Sequence, residues 1–300
     1  MSYVVTGGAG FIGSHLVDAL LDKGEEVHVV DNLSTGKEKN LNPATYFYKM
    51  DVCDSSLCKL ICSIQPETVF HLAAQVSVPR SIENSYEDTR VNVLGTVNLL
   101  EACVQARVKR VIFSSSAAVY GIPQYLPIDE EHPLLSISPY GTSKVAAEKY
   151  LQLYHRIYGL EYVILRYANV FGPRQDADGE GGVVSIFAQA IRDGLPLKIY
   201  SDGEQTRDFI YVKDIVRANL AARLCKPAIT VNVSTERATS VNQLANFMNR
   251  IGNFSSSIKY ESERPGDIRD SILSNSRAKE ELHWEPVYTL EEGLYEMLES

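Results

Sequence analysis

The sequence predicts an α/β protein: a doubly wound parallel sheet with a smaller C-terminal α/β portion. Three observations predict it. Short apolar runs alternate with helix-period segments through the first half of the chain. A glycine-rich turn, Gly7-Gly8-Ala9-Gly10, separates the first such run from the first helix. After Arg166 the rhythm breaks into a stretch rich in Gly, Pro and Asp, followed by shorter elements. Strands that alternate with helices pair in parallel, because each crossover needs a helix to return the chain.

The elements follow in order. Residues 3–6 read as a buried strand and 11–22 as a helix closed by Gly24. Residues 27–30 form a second strand, ending at Asp31. Further strands are expected at 46–50, 68–72, 110–114 and 162–166, with helices over about 91–105 and 140–158. Residues 169–182 read as a loop, 183–192 as a helix, 198–200 and 207–212 as strands, and 214–224 and 240–250 as helices. The expected division is residues 1–168 as one domain, to which about 207–225 return. Residues 169–300 form the second domain, interleaved with the first. No repeat of 20–50 residues stands out.

Composition bounds the function. The chain has 300 residues, 45% hydrophobic and 22% charged, with a net charge of −9. An acidic chain has no general attraction to nucleic acid or to an anionic membrane. No apolar run approaches the roughly 18 residues of a membrane span, and no basic, apolar leader is evident, so a cytoplasmic protein is expected. Cys53, Cys58, Cys62, Cys103 and Cys225 contain no C-x-x-C pair and read as reduced thiols, with no metal site expected. His15, His28, His71, His132, His155 and His283 show no ligand spacing, and Trp284 reads as core.

Two motifs carry chemistry. Gly7, Gly10 and Gly13 form G-x-x-G-x-x-G directly after a strand and at the opening of a helix. Glycines there permit a tight turn, and the helix N-terminus offers free N–H groups to a pyrophosphate. Asp31, at the end of the next strand, can accept both ribose hydroxyls of an adenosine and would repel a 2′-phosphate. NAD is therefore expected over NADP. Asp51 ends the third strand, where it can reach an adenine amine or serve as a cap. The second motif is Tyr140-Gly-Thr-Ser-Lys144, whose Tyr and Lys share one helix face. A phenol with an ordinary pKa of about 10 is a poor base, and a neighbouring ammonium favours the phenolate. With a nicotinamide beside it, that pair suits the oxidation of a secondary alcohol.

With these residues in place, the chain resembles the extended short-chain dehydrogenase/reductase family, a Rossmann-fold family, and within it the UDP-hexose 4-epimerases. The likeness runs through TGGAGFIG (6–13), DNLSTG (31–36), FHLAAQ (70–75), VNVLGT (91–96), SSSAAVYG (114–121), SPYGTSK (138–144), LRYANVFGPRQ (165–175), GEQTRDFIYVKD (203–214) and RPGDIRDS (264–271). It implies Tyr140 as catalytic base and acid, Lys144 as its partner on the nicotinamide ribose, and Ser116 as the hydrogen-bonding partner of the reacting O4. It places Gly7, Gly10, Phe11, Ile12, Gly13, Asp31, Asn32, Ser34, Thr35 and Gly36 on the adenosine and phosphates. Asp51 and Val52 fall on the adenine wall. Leu72, Ala73, Ala74, Gln75 and Asn92 lie near the ribose and pyrophosphate, and Ser114 and Tyr167 on the nicotinamide side.

For a UDP-sugar substrate the resemblance implies Asn169 and Val183 near the phosphates and uracil, Arg207 and Arg264 as diphosphate clamps, and Asp267 on a ribose. Ser271 bounds the hexose pocket, where a small residue leaves room for an N-acetyl group. Ala117 and Ala118 stand where related dehydratases and decarboxylases carry carboxyl groups, which points to epimerisation. The expected reaction interconverts UDP-glucose and UDP-galactose through a 4-keto sugar, as part of galactose metabolism. UDP-N-acetylglucosamine, or both sugars, is the alternative substrate, and a non-catalytic NAD sensor a more distant one. The helices over about 91–107 and 140–158 match those that pair family members into homodimers.

Overall fold

The computed structural model describes residues 1–177, 182–252, 256–263 and 268–299. The first half runs β1 (Ser2–Thr6), α1 (Phe11–Leu21), β2 (Glu26–Asp31), β3 (Tyr46–Lys49), α2 (Leu57–Ile64), β4 (Thr68–His71), α3 (Val78–Glu83) and α4 (Ser85–Thr89). A single π turn at Arg90–Leu94 leads into α5 (Gly95–Gln105), β5 (Arg110–Ser116), α6 (Pro139–Tyr158) and β6 (Glu161–Tyr167). The second half continues with β7 (Asn169–Phe171), α7 (Val183–Arg192), β8 (Leu197–Tyr200), β9 (Thr206–Arg207), β10 (Phe209–Tyr211) and α8 (Val212–Ala222). It closes with β11 (Ile229–Val233), β12 (Thr239–Ser240), α9 (Val241–Ile251), β13 (Ile258–Glu261), β14 (Asp270–Ser271), α10 (Ser276–Leu282) and α11 (Leu290–Glu299).

Seven strands form one parallel sheet in the order β11-β6-β5-β4-β1-β2-β3. The order reverses between β1 and β4. There the two neighbouring crossovers diverge to opposite faces and leave a crevice at the strands' C-terminal ends. Successive residues of each strand point to opposite faces. Val5, Ile112, Val163 and Leu165 pack with Leu16, Leu20, Ile215 and Trp284 on one face. Val4, Val111, Phe113 and Ile164 pack with Leu57, Leu99, Ala147 and Leu151 on the other. A separate apolar cluster, including Phe171, Phe187, Leu197, Phe209, Leu244, Met248 and Leu294, supports the short strands of the second half.

The second half rejoins the sheet twice. Helix α8 packs beside α1, and β11 adds an edge strand to β6. The strand β11, the helices α2, α3 and α4, and the short strand β7 inside the expected 169–182 loop go beyond the sequence reading. The helix expected from residue 91 begins with a π turn instead. Trp284 is buried and its indole N–H donates to the Asp214 carbonyl at 3.1 Å.

Candidate active site

The crevice at the strand switch is lined by the glycine turn, the ends of β2, β4 and β5, and the first turns of α6. Strand β1 delivers the chain into a turn at Gly7, whose φ of +71° suits glycine. A Cβ there would also stand 2.7 Å from the backbone nitrogen of Ala73, so the β1 and β4 exits touch backbone to backbone. Helix α1 then starts at Phe11, with Gly10 ahead of it and no side chain capping its first amides. Its N-terminal N–H groups face the crevice unblocked, as a pyrophosphate requires.

Asp31 ends β2 at the crevice, buried, with its carboxylate accepting from Ala9 N at 3.0 Å and Leu33 N at 2.8 Å. Burial pushes its pKa up, against those two bonds. Gly36 lies directly against this carboxylate. Asn32 donates to Asp51 at 3.0 Å, which ties together the ends of β2 and β3. Gly7, Gly10, Phe11, Ile12, Gly13, Asp31, Asn32, Ser34, Thr35, Asp51, Val52, Leu72, Ala73, Ala74, Gln75, Ser114, Tyr140, Lys144 and Tyr167 all line the one crevice.

Three further expected residues adjoin that lining through their neighbours Asp31, Ser115 and Gln75. Gly36 supports Asp31. Ser116 ends β5 and accepts from Ala118 N at 3.2 Å, capping a turn over Ala117–Val119. Asn92 is buried and its amide is held within the protein. It accepts from Gln75 N at 2.8 Å and donates towards Gln75 O, Asp88 and Ser143. These bonds make Asn92 a strut for the Gln75 loop, which lines the crevice.

Helix α6 starts sharply. Ser138 caps it by accepting from Gly141 N, and Pro139 sets the first turn. Tyr140 and Lys144 then fall on the crevice side. The Lys144 ammonium is buried, donates to Ser114 O at 2.9 Å and sits 5.9 Å from the Tyr140 ring centre. Burial pulls its pKa down to about 8, although Asp88 and Glu148 oppose the fall. His71, below it in β4, is held neutral by burial and by the Lys144 charge, with its pKa down to about 3. Its tautomer follows from its partners. Thr96 gives its hydroxyl proton to Asn92 O at 2.7 Å, so it accepts from His71 Nε2 at 3.0 Å. Nδ1 then accepts from Thr6 Oγ1 at 2.8 Å. Tyr167 is buried at the end of β6, bonded to Ser114 and Asn219, and its phenol is pushed up to about 12 by burial.

The expected substrate residues that the structure describes lie on short strands and a helix of the second half. Strand β7 places Asn169 beside β10, and its N–H donates to Asp208 O at 2.9 Å. Strand β14 pairs Ser271 with Arg207 of β9. Val183 opens α7 and packs on the second-half core. Arg264 and Asp267 lie outside the described residues. Sequence reasoning passed over the buried Glu148–Arg166 pair, its partner Ser115, and Asp88. Their signal is a charged residue at a position that helix or strand periodicity marks as inward. Among the described residues, no group of three or more His, Cys, Asp or Glu is placed to hold a metal ion.

Residues 3–233 match the family model for the NAD dependent epimerase/dehydratase family. The chain belongs to that family. Its members include a UDP-glucose 4-epimerase of Mycolicibacterium smegmatis, 42% identical over 308 residues, which cover 100% of this chain and 98% of the relative. A UDP-glucose 4-epimerase from Thermotoga maritima, solved with UDP-glucose, superposes with a TM-score of 0.98 at 45% identity, covering 100% of this chain and 98% of that one. A UDP-N-acetylglucosamine 4-epimerase from Methanobrevibacter ruminantium M1, in complex with UDP-N-acetylmuramic acid, superposes with a TM-score of 0.95 at 40% identity, covering 99% and 97%. The parallel sheet, the glycine turn and the crevice of this chain are those of an NAD-dependent epimerase/dehydratase. The open α1 N-terminus, the Asp31 carboxylate and the buried Lys144 fit a dinucleotide.

Proposed function

We propose that the protein is a UDP-hexose 4-epimerase that interconverts UDP-glucose and UDP-galactose with a resident NAD. One observation carries the reading: Tyr140 and the buried Lys144 share the floor of the glycine-turn crevice, while positions 117 and 118 hold alanines. Without a carboxyl group there, the chain lacks the extra acid and base that elimination of water or carbon dioxide demands. Bound NAD supplies a reversible hydride acceptor at the sugar C4. Tyr140 takes the O4 proton and returns it. Lys144 lowers the cost of the phenolate, and Ser116, on β5 opposite Tyr167, offers a hydroxyl to the same oxygen. Arg207 and Arg264 hold the diphosphate, with Asn169, Val183 and Asp267 around the nucleotide.

The pairing of Ser271 with Arg207 favours a second substrate. A small side chain beside the diphosphate clamp leaves room for an N-acetyl group, so UDP-N-acetylglucosamine is the alternative. We also propose a homodimer. Leu94, Leu153 and Ile157 are exposed apolar residues on the α5 and α6 side. A reducing, cytoplasmic setting fits the five free cysteines.

Anomeric-proton NMR of the purified protein with UDP-galactose, and separately with UDP-N-acetylglucosamine, tests the reading without added NAD. Conversion of UDP-galactose that Tyr140→Phe reduces by about 10²–10⁴-fold supports it. Failure to convert either sugar after NAD is supplied overturns it, as does NADH accumulating in proportion to substrate.

A further inference from the structure

Asp88 of α4 is fully buried, at 0% exposure, in the layer packed on α6. Its Oδ1 accepts from Gln75 Nε2 at 2.8 Å and from Asn92 Nδ2 at 3.1 Å. Its Oδ2 is buried with no hydrogen-bond partner. The other buried carboxylates among the described residues differ. Asp31, Glu148, Asp208 and Asp214 each engage both oxygens. A buried carboxylate oxygen without a partner is costly to keep, so its retention calls for a reason.

The surroundings supply one. Lys144 is a buried ammonium whose hydrogen bond goes to a neutral carbonyl, Ser114 O. The charged and titratable groups facing it are His71 from β4, Tyr140 and Glu148 from α6, and Asp88 from α4. His71 is neutral, and Glu148 is matched by Arg166 at 2.7 Å. Of the two carboxylates in this set, Asp88 is the one that makes no ion pair among the described residues. It also fixes the two amides that shape the crevice wall. Asn92 links onward to Ser143, whose hydroxyl donates to Tyr140 O at 2.9 Å.

Building on the epimerase reading, we propose that Asp88 is a positioning residue for the Tyr140–Lys144 pair. Its Oδ1 fixes Gln75 and Asn92 at the crevice wall, and the charge left on Oδ2 holds Lys144 as an ammonium. Asp88 touches neither substrate nor cofactor. It acts through Lys144 and through the Gln75 loop.

Lysine side-chain NMR of the holoenzyme, labelled at the lysine ε-carbon, tests this directly. The Lys144 resonance is assigned by its loss in Lys144→Met. In Asp88→Asn the Lys144 titration should move down by roughly one pH unit, as loss of an opposite charge dictates. The alkaline limb of kcat should move with it, while KM for the UDP-sugar stays close to wild type. A Lys144 titration unchanged in folded Asp88→Asn overturns the proposal. Should the amide variant not fold, Asp88→Ser removes the same charge and is read the same way. Should wild type turn over no UDP-hexose, the epimerase reading fails while the NMR titration still decides the role of Asp88.

Discussion

Gly141 and the Ala118 carbonyl meet backbone to backbone: a Cβ on Gly141 would stand 2.4 Å from Ala118 O. The contact presses the turn that follows Ser116 against the first turn of α6. The Ser116 hydroxyl and the Tyr140 phenol come from different elements, and this is where those elements are held in register. Gly141→Ala should force the two apart. The overpacking should cost about 1–3 kcal/mol, read from the denaturant midpoint. The fall in kcat should exceed what lost folding explains. An unchanged kcat in the folded fraction would show that the contact does not set the geometry.

Asp31 carries two duties in one carboxylate. It closes the glycine turn through Ala9 N and Leu33 N, and in the proposed cofactor site it takes the adenosine ribose. Charge-assisted bonds are worth about 1.5–3 kcal/mol each, so Asp31→Ala should weaken NAD retention by roughly 10–100-fold. NAD released on gel filtration, quantified by absorbance after denaturation, measures this. Full NAD occupancy in the variant would remove Asp31 from the cofactor site.

Lys144 gives catalysis and stability opposite pH dependences. Its folded pKa lies near 8, below its ordinary 10.5, because burial disfavours the charge. Between those values the unfolded chain binds the proton that the folded chain releases. Its contribution to stability therefore rises with pH through that window and is lowest below pH 8. The ammonium proposed to assist Tyr140 is lost from the folded protein as the pH passes about 8. Activity should fall with a limb centred near pH 8 while the urea midpoint, corrected for other titrating groups by Lys144→Met, does not fall with it. A Lys144→Met variant with the same pH dependence of stability as wild type would contradict this assignment.

The buried Arg166–Glu148 pair lies one helical turn beyond Lys144. Arg166 also donates to Tyr120 Oη at 2.9 Å, and Ser115 donates to Glu148 at 2.6 Å. Arg166→Met leaves a carboxylate buried without its cation and should cost about 3–5 kcal/mol. The double variant Arg166→Met, Glu148→Met should recover much of that loss, since it removes both charges together. Chemical denaturation of the three proteins decides it, and a double variant no more stable than the single would locate the cost elsewhere.

Local features of the fold and site are legible in the sequence, and long-range ones are not. The glycine turn, Asp31, Tyr140 and Lys144 announce themselves because neighbours in sequence create the geometry. Strand β11 is hidden because Asn232 interrupts its apolar run. The structure satisfies that amide through Tyr120 at 2.6 Å and Ile128 O at 3.0 Å, partners over 100 residues away. Helices α3 and α4 are too short for a period, and their Ser77 and Asn84 caps are the signal they leave. Nothing local brings Arg207 to Ser271. The β9–β14 pairing does. Asn92 sits in a motif that marks the crevice, yet its partners Gln75, Asp88 and Ser143 come from other segments that its own neighbours do not announce.

The return of α8 and β11 to the large sheet has a consequence for anyone who would rebuild this enzyme. A cut after Tyr167 would strip β6 of its outer neighbour and leave β11 with no sheet to join. The second half is not a cassette that can be lifted onto the first half of another chain. Chimeras with relatives should survive only when the exchanged pieces are loops, with both passes of the chain through the sheet kept from a single parent.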